Sequence, residues 1–483
     1  MTRQGALLAL LLGGCTTVGP DYSRPAVPAP ERFAEAGTRA GPSDPEIASW
    51  WQVFGDEQLA QLVQRALSRN LDVQIAAARI REARAREVVA GASTKPQLSP
   101  EASATRQRIS ENAIPIPPGA GNEGGLLGLP GSEFNSFRIG FDASWEIDLF
   151  GRTRRSIEAA RARTGAAVWN RRDVEVSVAA EVARAYLTLR ELQERIALAQ
   201  SDLDRRRRFE RLVEARARGG LVTRQDLEQQ RSERAAAEAA IPALRAQADA
   251  QVHALGVLSG EMPQALVAEL SQARAMPSAP PEIPPGIPSD LLRRRPDIRA
   301  SERELAAATA DIGVAVADLY PRFSLTATPA LVSTALASLL EWGSRSFTAG
   351  AGLVWPLLDG GRSRANVEMA NARQEQALIA YRKVVLVALQ DVEDSLSRTD
   401  AGRGQLASLH QALANAQRAE AIALARYRGG LVTYSNVLIA QARRLELEEQ
   451  MIQAKGALAR DSVALFKALG GGWPELAQAG AQQ

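Results

Sequence analysis

The sequence predicts a mainly α-helical protein that carries a membrane β-barrel, with two structural repeats per chain, and three observations lead there. The chain is written twice, at a constant offset of 210 residues over more than 110 residues. Each copy contains two stretches in which apolar and polar residues alternate, the pattern of a strand with one face on lipid and one on water. Each copy also holds a proline-free helical pattern, at 151–218 and 361–428, which at 1.5 Å per residue is on the order of 100 Å long, far beyond a globular helix.

The N-terminus comes first in the chain and reads as an address. Residues 1–14, MTRQGALLALLLGG, place Arg3 before a short apolar run and then two glycines, the pattern of a secretory leader rather than a spanning helix. Leu12-Gly13-Gly14-Cys15 resembles a bacterial lipobox, so Cys15 is the expected lipidation site and the mature N-terminus. Thr16 stands where an aspartate would signal inner-membrane retention, which points to the outer membrane.

The repeat carries the rest of the fold. Trp145, Gly151, Arg152 and Arg154 match Trp355, Gly361, Arg362 and Arg364, and Gly219-Gly220-Leu221-Val222-Thr223 matches Gly429-Gly430-Leu431-Val432-Thr433. Upstream the offset becomes 225, pairing Leu67, Asp72, Pro96 and Ser99 with Leu292, Asp297, Pro321 and Ser324. The difference falls where the first copy holds the Gly/Pro-rich stretch 114–131, a long surface loop by composition. Each copy opens with a helix (70–93; 296–318) ended by a proline. Strands follow at about 96–109 and 137–149, then at 321–331 and 347–357. Four strands alone leave open edges, which a bilayer cannot satisfy, so several chains must close one barrel. Two chains give eight strands and a filled interior; three give twelve and room for water.

In the first long helix Val174, Val178, Val182, Ala185, Leu189, Leu192, Ile196, Ala199 and Leu203 recur at alternating steps of three and four, a coiled-coil seam. The upstream helix and a shorter one at 224–258 together nearly match the long helix in length, so the pair can stack end to end beside it. The glycine pairs at 219–220 and 429–430 interrupt helical patterns as a turn between antiparallel helices requires.

Composition excludes other classes. Lys and Arg number 58 against 55 Asp and Glu, a formal net charge of +3, too small an excess for a nucleic-acid protein. Arg205 to Arg208 reads as a solvated helix face. Two histidines, at 253 and 410, and one cysteine leave almost nothing for a metal site or a thiol nucleophile, and no cofactor or enzyme chemistry is expected. No apolar run is long enough for a membrane helix.

With these residues in view, the chain resembles the TolC/OprM-like outer-membrane factors of efflux systems, the NodT-type lipoproteins. The matching pieces are CTTVGPDYSRP (15–25), SWWQVFGDEQLAQLVQRAL (49–67), IPSDLLRRRPDIRASERELAAATADIGVAVADLYPRFSL (287–325), GLVWPLLDGGR (352–362) and RYRGGLVT (426–433). The resemblance implies a homotrimer with a 12-stranded barrel in the outer membrane and a helical tunnel in the periplasm. It further implies an equatorial belt drawn from 46–58, 276–288 and 470–483. The domain plan is then a leader 1–14, a lipidated and equatorial segment 15–56, efflux repeats 57–260 and 291–469 joined by a linker 261–290, and a tail 470–483. The function implied is a passive exit duct for small amphiphilic compounds such as drugs. Its partners are an adaptor (membrane fusion) protein and an inner-membrane pump of RND type. A type I protein-secretion duct and a structural envelope lipoprotein are the alternatives.

The same resemblance places adaptor contact on the two tips, Gly219 to Thr223 and Gly429 to Thr433. It also implies a gate in which Tyr427 bonds Asp226. Asp226 has a second reading, since an acidic residue three positions after Thr223 supports a helix N-terminus. The family's second latch has an arginine where this chain has Val432. The two aspartates that narrow the pore fall on Asn436 and Ile439, so weak cation selectivity is expected at the entrance.

Overall fold

The computed structural model describes residues 17–26, 30, 32–34, 47–110, 133–280, 283 and 288–473. The leader, Cys15 and the loop 114–131 lie outside the described residues. Along the chain run α1 (Glu57–Arg69), α2 (Leu71–Ala92), β1 (Gln97–Arg108), β2 (Glu133–Ile147), α3 (Arg152–Arg218) and α4 (Arg224–Leu258). They continue with α5 (Val267–Leu270), α6 (Pro288–Arg294), α7 (Pro296–Ala317), β3 (Arg322–Ala327), β4 (Ala330–Ser333), β5 (Arg345–Ser346) and β6 (Ala349–Val354). The long α8 (Arg362–Arg428) and α9 (Tyr434–Ala468) close the series. The fold is mostly helical with an antiparallel sheet. Helices α3 and α8 have 67 residues each, and α4 and α9 have 35 each, as the sequence offset demands.

The chain divides into two compact units. The first comprises Met1–Arg24, Arg81–Gly165 and Arg303–Leu378 and contains the sheet. Strand β1 pairs β2, β2 pairs β3 and β4, β3 pairs β6, and β4 pairs β5, all antiparallel. Four columns result, with β3 and β4 forming one interrupted column and β6 and β5 another. This corrects the expected continuous strands 321–331 and 347–357. Pro329 has no N–H to give the ladder and breaks the third column, and the fourth breaks opposite it at Phe347-Thr348. The ladder bridges the gap, because Phe141 N donates to Pro329 O at 2.9 Å and Thr328 N to Thr348 O at 2.7 Å. Gly140 permits this approach, since a Cβ there would lie 2.5 Å from the Pro329 oxygen. Strand β2 also begins four residues earlier than expected, at Glu133, which pairs Arg108.

The second unit comprises Pro25–Ile80, Ala166–Glu302 and Ile379–Gln483. Asp56 caps α1 by accepting from Leu59 N at 3.0 Å. Asn70 ends α1 and starts α2, its side-chain oxygen accepting from Asp72 N and Val73 N. Its Nδ2 donates to the carbonyl of Leu258, the last residue of α4, at 2.9 Å. Arg295, before α7, makes the corresponding bond to the carbonyl of Ala468, the last residue of α9, at 3.1 Å. The expected end-to-end stacking is therefore a bonded junction in both copies.

Burial along α3 follows the predicted seam at Val178, Val182, Leu189, Leu192 and Leu203, while Val174, Ala185, Ile196 and Ala199 are half-buried. Arg190, fully buried, joins this helix to the linker through Gln58, Gln193 and the Gln272 carbonyl, and stacks on Tyr186. Burial pushes the Tyr186 hydroxyl up to about 12. Trp50 stacks on Phe466 with centroids 5.5 Å apart, and Trp473 packs with Ile47, Ala48 and Val176, so the segments at 47–54 and 470–473 share one core.

Candidate conduit, anchor and tip sites

Register decides the chemistry of the sheet. Leu98, Pro100, Ala102 and Ala104 lie opposite Ala143, Phe141, Ile139 and Phe137. Trp145 and Ile147 lie opposite Leu325 and Phe323, which face Ala351 and Leu353 in turn. Because side chains alternate, these residues share one face, and that face is apolar across all four columns. The opposite face pairs Ser99 with Asp142, Glu101 with Gly140, Ser103 with Arg138, and Glu146 with Ser324. It is mainly polar, with Val332 opposite Arg138 and Val354 opposite Arg322 as apolar exceptions. Strands β1 and β6 each have one partner only among the described residues, so both outer edges of the sheet present unpaired backbone groups.

Where the sheet meets the helices, two tryptophans repeat one bond. Trp145 Nε1 donates to the Thr94 carbonyl and Trp355 Nε1 to the Leu319 carbonyl. Beside them the segment that follows Cys15 is docked. Val18 N donates to Phe150 O at 3.2 Å. Arg155, with its side chain only 4% exposed, donates to the carbonyls of Val18 and Gly19 and to Asp21 Oδ1 at 2.6 Å. Gly19, at φ +90°, passes so close to Gly313 that a Cβ would sit 2.5 Å from its Cα. The Arg303 guanidinium covers Tyr22. Sequence inspection flagged Cys15 but missed Arg155 and Gly313, whose only signal is their place in the GRTRR and DIGVAV segments.

At the first tip, Gly220 takes φ +68° and Leu221 N reaches back to Arg216 O at 2.9 Å; Gly430, at φ +72°, and Leu431 N to Arg426 O repeat this. These bonds satisfy carbonyls at the helix ends in the way a left-handed glycine allows. Leu221 and Leu431 project outward at 77% exposure each, whereas Val222 and Val432 are half-buried. Thr223 caps α4, accepting from Asp226 N at 3.2 Å, while Asp226 accepts from Thr223 N at 3.0 Å. The Asp226 carboxylate is thus committed to its own helix. Tyr427 is buried and its hydroxyl has no hydrogen-bond partner among the described residues, so the Tyr427–Asp226 bond is not formed in the chain.

Tyr427 instead joins an aromatic cluster. Phe209 stacks on Tyr434 at 4.6 Å, Tyr427 leans on Tyr434 at 5.7 Å, and Arg216 lies over Tyr427. Tyr434, a residue that the sequence reading passed over, donates to Gln230, and burial raises its pKa. Asn436 is exposed and donates to Thr433 Oγ1 at 3.1 Å; Ile439 is exposed on the same first turns of α9. The run Arg205 to Arg208 is largely ion-paired, with Arg205 and Arg206 on Asp202, Arg206 on Glu233 and Arg207 on Glu238. His253 and His410 are exposed. No cluster of metal-ligating side chains occurs among the described residues, and no helix there is long and apolar enough to cross a membrane.

This geometry agrees with the comparisons to known proteins. A family model described as outer membrane efflux protein matches residues 62–261 and 287–471. The pyoverdine export outer membrane protein OpmQ of Pseudomonas aeruginosa is 37% identical over 467 residues, covering 96% of this chain and 95% of that one. Nodulation protein T of Rhizobium leguminosarum bv. viciae is 32% identical over 472 residues, covering 97% and 93%. The solved outer-membrane channel OprN superposes with a TM-score of 0.85 at 34% identity, over 95% of this chain and 100% of that one. The chain belongs to the outer membrane efflux protein family.

Proposed function

We propose that this member of the family works as a trimer, three copies closing a 12-stranded barrel above a helical tunnel, as the exit duct of a tripartite efflux assembly. The protein is an outer-membrane efflux channel by family; the trimer, the adaptor and an RND-type pump belong to the proposal. One observation carries it. A sheet with one face apolar over most of its height, one mainly polar face and two unpaired edges is unstable alone in a bilayer and complete once its edges meet copies of themselves. Three sheets enclose a lumen wide enough for water, lined by Ser99, Ser324 and Thr326. Lipid on Cys15, in the same chain segment whose residues Val18 to Asp21 are clamped by Arg155, adds a second hold on the membrane.

The duct is passive. Its residues supply a wet path and docking surfaces, and the driving force comes from the inner-membrane partner. The exposed Leu221 and Leu431 give the adaptor apolar contacts at the tips, and the core of Ile47, Trp50, Phe466 and Trp473 forms the belt. Small amphiphilic compounds are the assigned cargo over secreted proteins, because the relative OpmQ is named for export of pyoverdine. Deletion of the gene should raise cellular accumulation of amphiphilic dyes and leave protein secretion unchanged, and the detergent-extracted assembly should have three times the mass of the mature chain. Unchanged dye accumulation with a loss of one secreted protein would overturn the cargo assignment.

A further inference from the structure

The apolar face of the sheet is not flat at the end remote from the helices. Between β4 and β5 the chain folds back through two short 3-10 turns, Leu336–Ser338 and Trp342–Ser344. Ser344 Oγ donates to the Ser338 carbonyl at 2.7 Å, and the Ser333 and Ser338 hydroxyls bond at 2.8 Å. Leu340 and Phe347, with Ala102, Ile139, Phe141 and Leu331, line a groove of about 860 Å³ whose walls are almost wholly apolar. Leu340, Trp342 and Phe347 are 80%, 76% and 82% exposed, a dense apolar patch.

Among the described residues that line this groove, Arg345 is the one cation. Arg345 pairs Leu331 across the ladder, which places it on the apolar face. Its Nε donates to the Trp342 carbonyl at 2.7 Å and its guanidinium lies 3.5 Å from the Trp342 ring centroid. No carboxylate lies within ion-pair distance of Arg345 among the described residues. Glu101, the acid among the groove's lining residues, belongs to the opposite, polar face and is engaged there by Arg138 at 3.6 Å. A tryptophan beside an arginine marks the boundary between hydrocarbon and headgroups, and a guanidinium matches phosphate better than any other side chain does.

We propose that this groove is a lipid site, taking an acyl chain of a phosphate-bearing lipid of the outer leaflet with its phosphate on Arg345. The inference rests on the reading of the sheet as the membrane wall, with the remote end facing out. The apolar walls select the chain, and the uncompensated charge held in place by Trp342 selects the anionic headgroup.

The test uses the intact assembly extracted in neutral detergent, with wild type, Arg345→Ala and Arg345→Lys. Each is melted with bisphosphorylated lipid A, with the same lipid dephosphorylated, and with inorganic phosphate. Phosphorylated lipid should raise the wild-type melting temperature and the other two additives should not. Arg345→Ala should weaken the apparent affinity about tenfold or more, with Arg345→Lys between. Equal stabilisation by the dephosphorylated lipid means a non-selective apolar belt, and equal stabilisation by phosphate means a bare anion contact. Either result, or an undiminished response in Arg345→Ala, overturns the site. Conductance of the same wild-type preparation is read in parallel. A preparation that conducts and ignores the lipid sinks the lipid site alone, whereas one that binds it and never conducts sinks the duct.

Discussion

Trp145 Nε1 donates to the carbonyl of Thr94 at 3.1 Å, and 210 residues later Trp355 Nε1 donates to Leu319 at 3.0 Å. The two carbonyls are 225 residues apart, so the shift in the sequence repeat lies between them and their tryptophans and costs neither bond. Each carbonyl stands two residues before the proline that follows its helix, where no helical N–H is available to it. The indoles therefore tie the strands to the helix ends. Replacing Trp145 or Trp355 by Phe keeps most of the packing and removes the donor, at about 1 kcal/mol each. The double variant should melt below either single one in detergent; a double variant as stable as wild type would remove this role.

The docked segment and the lipid are separable. Cys15→Ser should abolish labelling by a palmitate analogue while chymotrypsin cleavage after Tyr22 stays as slow as in wild type. Arg155→Leu should keep the label and speed the cleavage, because the carbonyls of Val18 and Gly19 lose their donor. Equal cleavage rates in the two variants would mean that Arg155 does not hold the segment.

At the tip the cap and the latch give opposite signs. Thr223→Val removes the capping box and should cost about 1 kcal/mol of stability. Tyr427→Phe removes a buried hydroxyl that bonds nothing among the described residues, so stability should hold or rise. Conductance should follow wild type in both. An enlarged conductance in Tyr427→Phe would show that the hydroxyl finds its partner only in the assembled tunnel.

Asp173 supplies a pH signature. Burial first, and then the neighbouring Asp297, raise its pKa, against the pull of Lys467 and Arg295. A carboxyl raised in the folded state binds its proton more tightly there than when unfolded. Its contribution to stability is greatest below the ordinary carboxyl range, near pH 4, and falls as pH rises through the folded value. Asp173→Asn should therefore melt higher than wild type at pH 7.5, with the gain shrinking toward pH 4. A gain that is constant with pH would assign it to packing instead.

Much of this fold is written in patterns of local period. The bounds of α3 and α8 follow from proline-free helical runs that end at the glycine pairs, the starts of α4 and α9 from the same pairs, and the apolar sheet face from simple alternation. The break at Pro329 was legible in principle, since proline cannot serve a ladder, yet the alternation across it masked the interruption. The tip was half legible. Thr223 and Asp226 announce a cap by spacing alone, but Phe209, Gln230 and Tyr434 lie on three different helices and meet only through the turn geometry. Arg155 and Arg190 were invisible for the same reason, because a buried arginine is recognised by its distant partners and not by its neighbours in sequence.

Single-channel recording in planar bilayers tests the central claim most directly. The purified assembly should give discrete, long-lived conductance steps with weak cation selectivity, and Asn436→Asp should sharpen that selectivity by placing acids around the entrance. A folded, bilayer-inserted preparation that never conducts would contradict the account.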